Sequence, residues 1–220
     1  MFDDGLSNAK IDTAGKVLRT GIAGLVAGPE ELTPHEAQRR VANAQDVVAM
    51  FRQRWTRPPS TTGELASEIS RRVRPLVSGA LTVGSRIKRL GSIEEKLPRL
   101  RTLRLSTLAD IGGIRVVVDD TAAQRIVVER LARLWTDDVR KVLDYVQKPK
   151  DTGYRAVHLI VRRRGLLHEV QVRTSRQHQW AMEMEAVAVD SKSLGLKSGL
   201  GDPEIVEAFR QRAAQLAAEE

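Results

Sequence analysis

The sequence predicts a mixed α/β fold, a partly antiparallel β-sheet flanked by helices, on three observations. Short β-branched runs alternate with longer segments of helical apolar spacing. Three of those runs, "RKVLDYV" (140–146), "YRAVHLIV" (154–161) and "LLHEVQVR" (166–173), follow one another too closely for parallel crossovers of a dozen or more residues, and therefore pair antiparallel. Helix-start signals of the Ser/Thr-x-x-Glu kind recur ahead of the helical segments. Strands interleaved with helices make a sheet with helices packed on it.

Taken in order, residues 1–32 read as an N-terminal arm. Gly21, Gly24 and Gly28 interrupt "KVLRTGIAGLVAG", each costing about 1 kcal/mol in a helix interior. Residues 33–78 read as a helical segment. Thr33 as cap, Pro34 at the first helical position and Glu36 three after the cap predict a helix to about Trp55. Thr61 and Glu64 repeat the pattern and predict a second helix over 62–77. The core spans 79–190. There "GALTVGSRIK" (79–88) has β character, Ser92 and Glu95 form a third box before "EEKLPRLR", and "GGIRVVV" (112–118) is a buried strand. Helical spacing returns over 121–135 and 175–190, and over 203–219 within a C-terminal helical tail, 191–220.

A chain of 220 residues is long enough to bury a core. A net charge of +8 and a pI near 10.2 favour polyanionic partners. The absence of Cys excludes disulfides, thiolate zinc sites and a Cys nucleophile, and fits a reducing, cytoplasmic setting. No apolar run approaches the ~20 residues of a transmembrane helix.

Chemistry-bearing residues gather in four places. In "HEVQVR" the strand period of two puts Glu169, Gln171 and Arg173 on one face. In the strand before it, Tyr154 and His158 share a face, and pairing with polar faces aligned sets all five on one side of the sheet. The loop "QKPKDTGYR" presents Lys148, Lys150 and Arg155 around Pro149 and Gly153, with Tyr154 as an aromatic ring. "SRIKRLGSIEEK" (85–96) supplies Arg86, Lys88, Ser92 and Lys96, donors suited to a polyphosphate, and no P-loop pattern is present. Asp110 precedes Gly112 and Gly113 at the mouth of a buried strand. Alone it reads as a turn residue; beside Glu169 it makes a carboxylate pair able to hold Mg²⁺. Trp180 and the helix from Ser175 read as core packing.

Four ordered stretches, "RIKRLGSIEEKL", "LADIGGIRVVV", "DYVQKPKDTGYRAVHL" and "EVQVRTSRQHQWA", resemble the motifs of RelA/SpoT-type alarmone synthetases over about residues 80–185. The resemblance implies a nucleotidyltransferase-like synthetase fold and a GTP pyrophosphokinase activity, transfer of the β,γ-pyrophosphate of ATP to the 3′-hydroxyl of GDP or GTP. It implies Mg²⁺ as cofactor. Asp110 and Glu169 become the catalytic, metal-holding carboxylates, and Arg86, Lys88, Ser92, Lys96 and Arg115 the ATP-binding set. Lys148, Lys150, Tyr154, Arg155, His158, Gln171, Arg173 and His178 become the acceptor-nucleotide set, with Tyr154 stacked on the base.

Two departures bear on the acceptor. Gln177-His178 stands where small synthetases commonly carry Met-Asn, and Glu183 and Glu185 straddle the place of an expected Glu. None of the four His is followed by Asp, so the metal pair of the hydrolase domain in long relatives is absent from this sequence. A stand-alone synthetase needs restraint by oligomerisation, an allosteric ligand or an inhibitory, antitoxin-like partner. Two alternatives stay open: a toxin-type relative acting on tRNA or adenosine nucleotides, and a non-catalytic nucleic-acid-binding or regulatory module, against which both carboxylates stand.

Overall fold

A computed structural model describes residues 4–30, 32–57, 60–99, 102–190 and 202–219. Five strands, β1 (Leu81–Ile87), β2 (Gly112–Val118), β3 (Val139–Asp144), β4 (Val157–Arg163) and β5 (Leu166–Thr174), form one sheet in the order β1-β2-β5-β4-β3. The helices are α1 (Asn8–Val26), α2 (Pro34–Gln53), α3 (Thr61–Val73), α4 (Leu90–Lys96), α5 (Thr121–Leu134), α6 (Ser175–Asp190) and α7 (Pro203–Ala218). The mixed sheet with flanking helices is the fold class the sequence predicts. β3 pairs antiparallel with β4, with Leu143 opposite His158. β4 and β5 are joined by Arg164 and Gly165 alone, at φ 48° and 79°. Positive φ at both central residues is the hairpin turn whose twist matches its strands, and it fixes their register. Among the described residues no helix is long and apolar enough to cross a membrane.

The chain divides into two compact units, residues 1–64, 86–113 and 162–168 in the first and 65–85, 114–161 and 169–220 in the second. The first is built on Ile11, Val48, Phe51, Trp55, Ile93, Leu97 and Ile111. The glycine-interrupted stretch read as an arm is helical there: Ile11, Ala14 and Val17 of α1 are buried, and Gly21 (φ 66°, ψ 176°) kinks the helix. Burial of that face outweighs weak helix propensity, which is only a prior. Arg19 anchors α1 by donating to the carbonyls of Leu97 (3.1 Å) and Leu103 (2.7 Å).

The Thr33–Glu36 capping box forms as expected. The other two do not. Ser60 caps α3, its Oγ accepting from the Gly63 N–H at 3.3 Å, because a hydroxyl there reaches the open N–H groups of the first turn. α3 stops at Val73 rather than 77, where Pro75 supplies no N–H and disfavours helix in the residue before it. α4 begins at Leu90 with Arg89 at its cap and no side-chain cap bond, which leaves Ser92 inside the helix.

Two predictions arise in this unit. A Cβ on Gly112 would lie 2.2 Å from Cδ1 of the buried Trp55. Gly112→Ala is expected to cost about 1–3 kcal/mol through overpacking, read as a lower urea midpoint. Asp4 accepts from Arg54 Nε at 2.7 Å and Nη2 at 2.8 Å and from the Leu6 N–H at 3.1 Å. The Arg54 guanidinium first of all holds its carboxyl down to about 2 from 3.8. A carboxyl depressed on folding contributes stability that is present above its unfolded value and lost as pH falls toward the folded one. Asp4→Asn is therefore expected to lower the melting temperature at pH 7, with the difference from the parent shrinking between pH 4 and pH 2.

The second unit has two cores. Ile114, Val116, Val118, Val127, Leu131, Leu159, Val161, Val170 and Val172 pack with Ile69 and Trp135. Tyr154, Trp180, Met184, Ala213 and Leu216 make the other, with Phe209 beside them. Trp180 is core, as read from the sequence: it is 2% exposed and donates Nε1–H to the Phe209 carbonyl at 2.9 Å. Gly153 sits at φ +85°, and a Cβ there would lie 2.4 Å from the Cβ of Ala213, so α7 rests directly on this loop. The Arg210 Nε bond to the Asp151 carbonyl at 2.7 Å holds it there.

Candidate active site

The first unit carries the basic cluster after β1. Lys88 and Lys96 both donate to Oδ2 of Asp110, at 3.1 and 2.6 Å. Oδ1 of the same carboxylate is buried and accepts no hydrogen bond. Lys88 is fixed at its backbone from both sides, its N–H donating to the Ile111 carbonyl at 2.8 Å and its own carbonyl accepting from Arg52 Nε at 2.6 Å. Arg52 was not singled out in the sequence; its only signal is a lone cation near the end of α2. Arg86 is exposed on β1, and Ser92 is half-buried in α4.

A desolvated oxygen without a partner, on a carboxylate already faced by two ammonium groups, suits one ligand position of Mg²⁺. That ion takes one or two carboxylates and completes its shell with water and substrate phosphate. Among the described residues no group of three or more His, Cys, Asp or Glu side chains could hold a metal by itself. Glu169, the other expected ligand, belongs to the second unit.

In that unit β5 alternates as its sequence predicts, Val170 and Val172 entering the core and Glu169 and Gln171 staying half-buried. The hairpin register sets His158 beside Glu169. Five side chains then close a ring of hydrogen bonds. Arg173 Nη2 donates to the Tyr154 oxygen at 2.9 Å and to Gln171 Oε1 at 2.8 Å. Gln171 Nε2 donates to Glu169 Oε2 at 2.7 Å. His158 Nδ1 lies 2.9 Å from Glu169 Oε1, and His158 Nε2 lies 2.6 Å from the Tyr154 hydroxyl.

The loop residues stand differently. Lys148 and Lys150 are exposed, with the Lys150 ammonium 4.7 Å from the Tyr145 ring centroid and 5.1 Å from that of Tyr154. Arg155 is half-buried and donates to the Val146 carbonyl at 3.4 Å. Tyr154 is only 5% exposed, its ring packed against Tyr145, His158 and Trp180 at centroid distances of 5.9, 5.7 and 6.0 Å. Burial raises its phenol above the ordinary value, against the pull of Arg173. Tyr145, absent from the residues the motifs point to, is the less buried ring, its phenol raised by burial and then by the Glu169 charge. The strand period could have shown it, because Leu143 and Tyr145 fall on one face. Arg115 on β2 reaches Met182 Sδ at 3.7 Å. His178 on α6 is lowered by burial first and by Arg115 and Arg173 next. Gln124, a lone amide on the apolar face of α5, ties β5 to α6 by donating to the Val172 carbonyl (2.8 Å) and Gln177 Oε1 (2.9 Å).

In the first unit two lysines face a carboxylate, and in the second a basic loop lies near another; such groups are suited to polyphosphate. Residues 85–190 match the profile described as "Region found in RelA / SpoT proteins". An uncharacterized protein of Mycobacterium tuberculosis is 34% identical over 140 residues, 61% of this chain and 50% of the relative. A chloroplastic GTP diphosphokinase of Oryza sativa is 31% identical over 171 residues, 67% of this chain and 28% of the relative. The chain thus spans about half or less of the length of these relatives. Among solved structures, a GTP pyrophosphokinase family protein from Streptococcus pneumoniae superposes with TM-score 0.61 at 25% identity, covering 77% of this chain and 90% of that one. The fold is also that of the small alarmone synthetase 1 of Bacillus subtilis bound to its product pppGpp (TM-score 0.60, 21% identity, 76% of this chain and 92% of that one). Residues 85–190 of this chain thus carry the region found in RelA/SpoT proteins, on a fold shared with small alarmone synthetases.

Proposed function

We propose that this chain transfers the β,γ-pyrophosphate of ATP to the 3′-hydroxyl of GDP or GTP, making (p)ppGpp. The observation that carries the proposal is Asp110, one oxygen held by two lysines and the other desolvated with no partner. A nucleic-acid-binding module has no use for such a carboxylate, which repels phosphate unless a cation intervenes. Asp110 would hold Mg²⁺, which when bound neutralises phosphate charge and polarises the group to be transferred.

In the reaction the acceptor 3′-oxygen bonds to the β-phosphorus of ATP, the bond from that phosphorus to the oxygen bridging to the α-phosphorus breaks, and AMP leaves. Glu169 takes the hydroxyl proton. Arg86, Lys88, Ser92, Lys96 and Arg115 are proposed to hold the ATP phosphates, and Lys148, Lys150, Arg155 and His158 the acceptor's phosphates, with His178 in the acceptor's set. Positioning and cations suffice because charge in such transfers stays spread over phosphoryl oxygens.

The test incubates the purified protein with Mg²⁺ and γ-labelled ATP, offering GDP, GTP, ATP or deacylated tRNA separately, with Glu169→Gln as control. Label on GDP or GTP, absent in the control, supports the proposal. Label on tRNA or on an adenosine nucleotide replaces its acceptor, and label on nothing removes it.

A further inference from the structure

We infer that Tyr154 and His158 are positioning residues for Glu169: the phenol locks one tautomer and orientation of the imidazole, and the imidazole aims the carboxylate at the acceptor hydroxyl. The inference rests on Glu169 as the group that takes the acceptor's proton. It gives Tyr154 and His158 work other than contact with the acceptor's base and phosphates.

The hydrogens can be placed by counting donors. Glu169 is acceptor-only when ionised, so His158 Nδ1, 2.9 Å away, carries a proton and donates. The Tyr154 oxygen already accepts from Arg173 at 2.9 Å, and its single hydrogen needs an acceptor. His158 Nε2 at 2.6 Å is the acceptor the ring provides. The assignment that pairs the phenol, the imidazole and the carboxylate is a neutral imidazole, protonated on Nδ1, taking a bond from the phenol and giving one to the carboxylate. Gln171 repeats the pattern on the other oxygen, its carbonyl held by Arg173 and its amide donating to Glu169 Oε2. Both oxygens of Glu169 are thereby held from behind by donors that are themselves held.

Burial holds the members of this network in place. Tyr154 is 5%, His158 6% and Arg173 2% exposed, and Arg173 also lies 5.3 Å from the Tyr154 centroid. Trp180 and Ala213 share the Tyr154 core. The Tyr154 ring is thus held between an arginine, an imidazole and a tryptophan. Arg173 joins the network through Nη2 alone, its Nε and Nη1 being buried without a hydrogen-bond partner, and a displacement of about 1 Å at a reacting group can cost about 10²-fold in rate.

Tyr154→Phe separates the two roles, because it keeps the ring and deletes only the hydroxyl. The expected result, with the acceptor that the labelled-ATP experiment identifies, is a kcat lower by about 10–100-fold with the acceptor KM changed less than about threefold. A kcat within twofold of the parent overturns the inference, as does a raised KM at unchanged kcat. A second pair guards against a folding artefact. His158→Asn places an amide donor where Nδ1 stood and is expected to retain more kcat than His158→Leu; equal losses overturn the inference.

An inactive parent protein would remove the proposed reaction but not this geometry, which has its own readout. Nitrogen-15 NMR of the imidazoles, with the His158 signal assigned by its loss in His158→Asn, is expected to show Nδ1 protonated and Nε2 unprotonated in the parent. Tyr154→Phe is expected to give a mixture of tautomers. The same tautomer in both proteins overturns the inference whatever the activity.

Discussion

Glu169→Gln is expected to lower kcat for pyrophosphate transfer by about 10²–10⁴-fold, the usual contribution of a positioned general base. The protein is expected to stay folded, with a melting temperature within a few degrees of the parent. The side-chain shape is kept, and the new amide still offers an oxygen to one of the two donors, His158 and Gln171, that now face the carboxylate. What it loses is the capacity to take a proton and one unit of negative charge. The check is steady-state kinetics with labelled ATP beside thermal denaturation. A variant that transfers at the parent rate removes Glu169 from the chemistry.

Asp110→Asn is expected to cost about 10²–10³-fold in kcat, on the scale of losing one charge-stabilising group from a preorganised site. Here the effect reaches further than the lost charge. Lys88 and Lys96 both donate to Oδ2, and a neutral amide leaves two ammonium groups facing each other across it. They are expected to separate, which misplaces the cations proposed to hold the phosphates. Titrating Mg²⁺ in the variant distinguishes the roles, because excess cation is not expected to restore the parent rate. Parent-like turnover and parent-like Mg²⁺ dependence would falsify the metal role and leave Asp110 a structural counter-ion.

Much of this was legible in the sequence for reasons that lie in local chemistry. β2 was readable because a seven-residue run, small or β-branched but for Arg115, after an Asp-Ile start has few other uses, and its observed span, Gly112–Val118, matches the run. The polar face of β5 followed from its period of two. Thr33 and Glu36 capped α2 as written because both members of the box are exposed and bond only to each other and their own backbone. The later boxes failed where a neighbour could do the same work. Ser60 reached the α3 amides one residue before Thr61, and packing of Ile93 into the first unit's core accompanies a start to α4 ahead of Ser92. The glycine-rich N-terminal stretch misled because propensity counts single residues, whereas burial of Ile11, Ala14 and Val17 is a property of the partner surface.

The sequence by itself determined the mixed α/β class, the order of the strands along the chain, and the residue types of a candidate polyphosphate site: the basic stretch 85–96, Asp110, the basic loop and the row Glu169, Gln171, Arg173. These are periodicities and spacings, which the backbone geometry converts directly into faces and turns. Only the tertiary structure decided how those residues are used. The two-residue turn at Arg164 and Gly165 set the register that brings His158 to Glu169, and packing of α7 over Gly153 put Tyr154 out of solvent and into a ring of hydrogen bonds. Which of two aromatic rings is buried, and which oxygen of Asp110 is left without a donor, depends on contacts between segments far apart in the chain. No local pattern in the sequence carries that information.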